Sequence, residues 1–205
     1  MRNTRRPVYR NEKTWMITDT ISITGGPVVG WDNVETNNNG WSGLGNVTWV
    51  ATDQITLAAN AIGGPSQNSN VGNKRVVGDF IATYKPLEPL TLQLNYDYGH
   101  EDHGAADGSN ASWSGMSGIV SYNFTDRFTG SGRLGYFNDT NGARTGVRQT
   151  VWEWTATAKY LVTQHLSAVA EFRQDFSNKD VFQAGNTRLV DGNPLVGIYA
   201  TYVFN

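Results

Sequence analysis

Read as antiparallel segments joined at Asn138–Val147 and at Thr163–Gln164, the chain brings Arg133 roughly opposite Glu153. The same reading sets Glu153 near Asp175 and diagonal to Arg173. A cluster of alternating sign does electrostatic rather than covalent chemistry. Charges withdrawn from bulk water must be paired or solvated, and a ring of them around water sets a constriction with a weak ion preference. The plainer role of the same side chains is to fill a narrow interior. A second constellation is His100-Glu101-Asp102-His103, two imidazoles flanking two carboxylates, the donor types that hold divalent metals. Strand alternation puts the two histidines on opposite faces and no third ligand presents itself, so the expectation is a solvated loop with no metal and no other cofactor. Hydrolysis would require Asp97 or Glu101 to work with His103 as an oriented base. The spacing does not demand that arrangement, and no catalytic residue is assigned.

The 205-residue chain has a formal net charge of -2 and no cysteine. It therefore has no disulfide, thiolate nucleophile or zinc ribbon, and it lacks the concentrated basic face of a nucleic-acid binder. Mean hydropathy is -0.43, and no stretch approaches the ~18 apolar residues of a membrane helix. A membrane barrel survives that test, because only alternate residues of its strands face lipid. The 7 Trp, 9 Tyr, 8 Phe and 23 Gly suit many strands and tight turns better than a helical bundle. Gly-Gly-Pro at 25–27 and 63–65 reads as a strand kink or the start of a loop rather than a phosphate cradle.

Residues 1–18 form a basic N-terminal segment or a partial upstream strand. Arg2, Arg5, Arg6, Arg10 and Lys13 stand there against Glu12, and no apolar run follows, so no cleavable export signal is expected and a downstream piece of a longer chain is. From 19 to 205 the pattern is period two. Leu90, Leu92, Leu94, Tyr96 and Tyr98 alternate with Thr91, Gln93, Asn95 and Asp97, a spacing a helix cannot use. Trp152, Trp154, Ala156, Ala158 and Tyr160 alternate with Glu153, Thr155, Thr157 and Lys159, and the stretches from Leu166 and Val196 repeat the pattern. Short connections fall near Asp53, Glu88, Thr125–Asp126 and Thr163–Gln164. Long polar ones fall at Thr36–Gly40, Gly64–Lys74, Glu101–Ala111, Asn138–Val147 and Ser177–Arg188. The unit is strand, long loop, strand, short turn, giving about ten strands with long loops on one rim and tight turns on the other.

A soluble β-sandwich also alternates, but its apolar face is normally stocked with Val, Ile and Leu. Here small residues and aromatics dominate. Trp49, Tyr84, Tyr122, Tyr160, Tyr202 and Phe204 lie close to the short turns, with Phe124 among them; Tyr96, Tyr98, Trp113, Tyr136, Trp152 and Trp154 lie close to the long loops. Two such bands match the headgroup girdles of a barrel. The polar faces would then line a lumen: Asp79, Lys85, Gln93, Asn95 and Asp97 from one half, and Arg127, Arg133, Glu153, Lys159, Glu171, Arg173 and Asp175 from the other.

Several segments resemble the OmpL-like β-barrel porins of bacterial outer membranes. They are Gly30-Trp31-Asp32-Asn33 with the Asn run after it, Gly63-Gly64-Pro65, Ala82-Thr83-Tyr84-Lys85-Pro86 and Leu94 to Glu101. Tyr136-Phe137-Asn138-Asp139 with Thr145-Gly146, and Glu171 to Asp175 with Lys179 to Phe182, follow in order. The resemblance covers about residue 20 to the end and looks like the downstream part of such a porin. It implies an all-β, antiparallel up-and-down transmembrane barrel in the outer membrane, wider than ten strands when whole. The implied activity is passive diffusion of small hydrophilic solutes and ions, with outer-membrane lipid as surroundings. The barrel-assembly machinery would read the C-terminal strand, where Tyr202 and Phe204 alternate as expected but Asn205 follows in place of a final aromatic. Many porins trimerise, yet no oligomer contact face is marked. The alternative is a filled barrel acting through its five long loops in surface adhesion or anchoring.

Overall fold

A computed structural model describes residues 12–204 apart from Asp32 and Val34; the arginines from Arg2 to Arg10 and the terminal Asn205 lie outside the described residues. Period-two patterning becomes strand throughout, and no helix occurs among the described residues. In chain order the strands are β1 (Lys13–Met16), β2 (Ile21–Val28), β3 (Ser42–Val50), β4 (Ile55–Pro65), β5 (Lys74–Leu87) and β6 (Leu90–Glu101). Then come β7 (Ala111–Asn123), β8 (Phe128–Asp139), β9 (Gln149–Leu161), β10 (Leu166–Ser177), β11 (Phe182–Ala184), β12 (Arg188–Val190) and β13 (Gly192–Tyr202). Eleven form one antiparallel sheet, β1 through β10 and then β13, each beside its sequence neighbour. The ten long strands are those the alternation marks. Short β1 lies in the basic segment, and β11 and β12 make a hairpin inside the fifth long loop. The sheet is open between β1 and β13.

Four of the five tight turns share one chemistry. In each, a threonine hydroxyl accepts the backbone N–H groups two and three residues on: Thr18 from Thr20 and Ile21, Thr52 from Gln54 and Ile55, Thr125 from Arg127 and Phe128, Thr163 from His165 and Leu166. Such hydroxyl-closed turns satisfy donors that the ladder leaves free. The exception is the β5–β6 connection at Glu88 and Pro89, where the register slips between Tyr84 and Leu87.

Register fixes the faces. On β9 and β10 the pairs Trp152↔Phe176, Ala156↔Phe172 and Tyr160↔Ala168 share one side, and Glu153↔Asp175, Thr155↔Arg173 and Thr157↔Glu171 share the other. The apolar side is the accessible one: Leu94, Tyr96, Met116, Leu134 and Trp152 are exposed, whereas Ser117, Glu153, Thr155, Ser167 and Asp175 are buried. This inverts a soluble protein and is the order expected of a sheet whose outer face meets lipid. The sheet curls enough for inner side chains from β6 to β10 to surround one hollow of about 160 Å³.

Two expectations are corrected by the register. Trp113 is not in the outer aromatic band; it faces inward beside Gly99, where a side chain on that glycine would overlap the indole. Of the two readings of Gly25-Gly26-Pro27, the loop falls away: the three lie within β2, opposite Gly45, Leu44 and Gly43.

Leu134 and Arg133 are adjacent on β8 and point to opposite sides. Leu134→Arg is therefore expected to destabilise the protein by about 2–4 kcal/mol in lipid, read as a lower denaturant midpoint for unfolding from vesicles. A near-neutral result would mean that the apolar face does not meet hydrocarbon.

Candidate functional site

The inner face of β8–β10 carries the charge cluster. Arg173 on β10 bonds Asp175 through both Nε and Nη2, at 2.8 Å each. Arg133 on β8 contacts Glu153 of β9 at 3.2 Å, an ion pair rather than an aligned hydrogen bond. The expected alignment is displaced by two residues: Arg133 stands opposite Thr155, and Glu153 opposite Gly135. The pair still forms because Gly135 has no side chain in the space that Glu153 occupies, so Arg133 reaches it diagonally. Thr155 donates to Glu153 at 2.7 Å and Thr157 to Glu171 at 3.1 Å. The carboxylates lie against the sheet while the guanidiniums stand clear of it: side-chain exposure is 7% for Glu153 and 12% for Asp175, but 42% for Arg133 and 38% for Arg173.

A second polar ladder crosses β3–β6, and the sequence reading caught only part of it. Asn46 donates to Asn60 at 2.6 Å, Asn60 to Asp79 at 2.6 Å, and Asn95 to the other oxygen of Asp79. Asp97 stands directly opposite Asp79, and among the described residues neither carboxylate forms an ion pair. Like charges directly opposed across strands repel, and the amides from both sides offset this for Asp79. Asn46 and Asn60 were not singled out from the sequence, although each stands at an inward position of an alternating strand.

The remaining expected lining residues separate. Glu171 belongs to the inner face, opposite Thr157. Lys159 is inward but exposed, near the short-turn end of β9. Arg127 does not line the sheet. It lies in the exposed 124–127 turn before β8 begins, because the Thr125 hydroxyl bonds its backbone N–H and closes the turn there. The outer aromatics do sort into two bands. Trp49, Tyr84, Tyr122, Tyr160 and Tyr202 project outward at the short-turn ends, with Phe204 edge-on to Tyr202 at 4.8 Å. Trp152 and Trp154 project outward near the long loops, in ring contact with Tyr136 and Phe172 at 4.5 and 5.1 Å.

At the long-loop rim the first three loops are laced together. Asn37 and Asn38 donate to the carbonyls of Ser66 and Gln67, and Gln67 donates to those of Asp102 and His103. Glu101 accepts from Ser66 and forms an ion pair with Arg75 at 2.8 Å. In the third loop Ser109 donates to Asp107 with its hydroxyl and its backbone N–H, which holds that carboxyl below its ordinary range. His103 is turned to the Gly108 carbonyl at 2.8 Å, and His100 is on the outer face 3.5 Å from Asp102. The histidines thus point to different partners, and Glu101, His103 and Asp97 form no relay. Asp139, fully buried, closes the fourth loop: its carboxylate accepts the backbone N–H groups of Ala143, Arg144 and Thr145 at 3.0, 2.9 and 2.8 Å and the Thr145 hydroxyl at 2.9 Å.

Residues 12–204 match the family described as putative beta-barrel porin-2, OmpL-like. The chain belongs to this family. No curated protein matches its sequence. Among solved structures it is similar to the NanC porin, with TM-score 0.57 and 15% identity over 94% of this chain and 98% of that one. It is also similar to the outer membrane channel DcaP of Acinetobacter baumannii, with TM-score 0.65 and 11% identity over 94% of this chain and 61% of DcaP. A Pseudomonas aeruginosa FadL homologue gives 0.55 and 14% over 95% and 65%. At these identities the likeness is one of fold. With the family it places this porin-like barrel chain in the bacterial outer membrane, surrounded by lipid, in a family of porins rather than enzymes.

Asp139 is the latch of the fourth loop. Asp139→Ala leaves its four donors unmet and is expected to destabilise the loop by about 1–3 kcal/mol. Limited trypsinolysis should then cut after Arg144 in the variant and spare it in the parent. Equal resistance would show that the loop is held by other contacts.

Proposed function

We propose that this porin-family chain forms the wall of a passive diffusion channel for small hydrophilic solutes and ions. The observation that carries the reading is the placement of charge on the inner face. The guanidiniums of Arg133 and Arg173 project from the sheet while their carboxylate partners are pressed against it, and Asp79 and Asp97 stand as neighbours on β5 and β6. Charges in that arrangement are tolerable only in water, and in water they bias which ions pass. Selectivity falls to these four residues, with Glu153, Glu171 and Asp175 setting how far the arginines reach and Lys159 acting at the short-turn mouth. Closure requires the open edges of β1 and β13 to be met, by each other or by further strands, since hydrocarbon leaves no unpaired backbone. We also infer that β13, with Tyr202 outward, is the strand the barrel-assembly machinery engages.

The laced rim favours a second reading, a filled barrel that presents its loops for adhesion or anchoring. Conductance separates the two. Refolded protein that is heat-modifiable on a gel should give reproducible single-channel steps in a planar bilayer; silence from folded protein would favour the filled barrel. For a conducting protein, Arg133→Gln with Arg173→Gln should move the reversal potential in a salt gradient toward cation preference. Asp79→Asn with Asp97→Asn should move it the other way. If neither pair shifts it, these side chains do not line the permeation path.

A further inference from the structure

Trp31, just after β2, does not stand clear of the sheet. It lies over the inner face at the long-loop end of β2–β5. There the indole shares a pocket of about 400 Å³ with Leu44, Asn46, Asn60, Ile62 and Asp79. That volume is within the range of small-molecule sites, about 300–1,000 Å³. Arg75, itself tied to Glu101, sits 5.8 Å from the Trp31 ring centre and steadies it. The indole N–H is buried and has no partner among the described residues.

The lining is amphipathic in a particular way. One aromatic plane and the aliphatic side chains of Leu44, Ile62 and Val77 supply apolar surface. Below them runs a row of carboxamides whose relay ends on a carboxylate: Asn46 to Asn60 to Asp79. Each amide nitrogen has two N–H groups, and the relay spends one of them. Each site therefore retains a donor, and Asp79 contributes acceptors. A pyranose ring has the matching anatomy, with a C–H face that lies on an aromatic plane and hydroxyls around its edge that both donate and accept. The carboxylate of the ladder, Asp79, disfavours an anionic guest.

From this geometry we infer that the pocket under Trp31 is a binding site for neutral sugars, formed by the indole lying over the Asn46–Asn60–Asp79 ladder. The inference deepens the channel reading and rests on it in one respect: the inner face must be open to solutes. The site would hold a sugar near the long-loop mouth before it moves further along the lumen.

The test is saturation-transfer NMR on the full refolded chain in detergent, with maltose as the neutral probe and glucuronate as the anionic one. Heat-modifiability confirms folding of each sample, and conductance is measured separately. Expected are transfer to maltose, weaker transfer to glucuronate, at least a tenfold loss of maltose affinity in Trp31→Ala, and retention in Trp31→Phe. Asn60→Leu, which removes the middle of the ladder and leaves the indole, should also weaken binding. No transfer from folded protein, equal maltose binding by Trp31→Ala, or preference for glucuronate would overturn the site. Conductance without maltose binding sinks this inference alone, and maltose binding without conductance sinks the channel reading alone.

Discussion

Saturation of the backbone is the constraint on which the rest of this structure depends. In hydrocarbon an unpaired N–H or C=O costs several kcal/mol, so a chain that crosses by strands must pair every strand on both sides. The simplest solution is the one seen, each long strand antiparallel beside the next long strand in the chain, with one register slip between β5 and β6. That solution needs turns too short to leave donors stranded. The threonine turns meet the need four times over, with a hydroxyl capping two N–H groups where the ladder stops. The outward aromatics stand beside these turns because the turns lie where headgroups meet hydrocarbon, the level at which ring-bearing residues are favoured.

Turning the apolar face outward transfers the harder problem to the inside. Charged groups on the inner face compete for few partners, and the chain resolves this differently on its two halves. On β8–β10 it uses ion pairs, with threonine hydroxyls taking spare carboxylate lone pairs. On β3–β6 it uses carboxamides, which donate and accept at once and so relay from strand to strand to Asp79. At the rim Asp139 replaces ion pairing by accepting four donors from its own loop, a neutral-donor solution that needs no cation nearby.

The strands were legible in the sequence because lipid on one side and polar groups on the other impose strict period two, as in Leu90 to Tyr98. The ends were less so. Arg127 has the parity of a wall residue, but turn chemistry at Thr125 takes it out of the sheet. Trp113 has the composition of a girdle residue, yet the glycine opposite it makes the inner face the place with room for an indole. The Arg133–Glu153 pairing was legible to within two residues along the strand, because loop length fixes register only approximately and a glycine absorbed the difference. The Asn ladder and the inward Trp31 were not legible. Asparagine is ordinary on a polar face, and nothing in a loop sequence says which way the loop folds.

Between the two halves of the inner face lies β7, whose inward residues at the level of the charges are Gly115 and Ser117, with Ile119 opposite Arg133. Gly115 leaves its space to the Asp97 carboxylate, as Gly135 does to that of Glu153. A hollow remains with Asp97 on one side and Arg133 and Glu153 on the other. An interior selected only for stability gains from pairing such charges and excluding water, since an isolated buried carboxylate is strongly unfavourable. Keeping them apart across a gap is tolerable only when water occupies it, and a water-filled gap with carboxylates facing guanidiniums has a field across it. The separation of Asp97 from Arg133 and Glu153 across this hollow therefore favours the wet interior over the filled one.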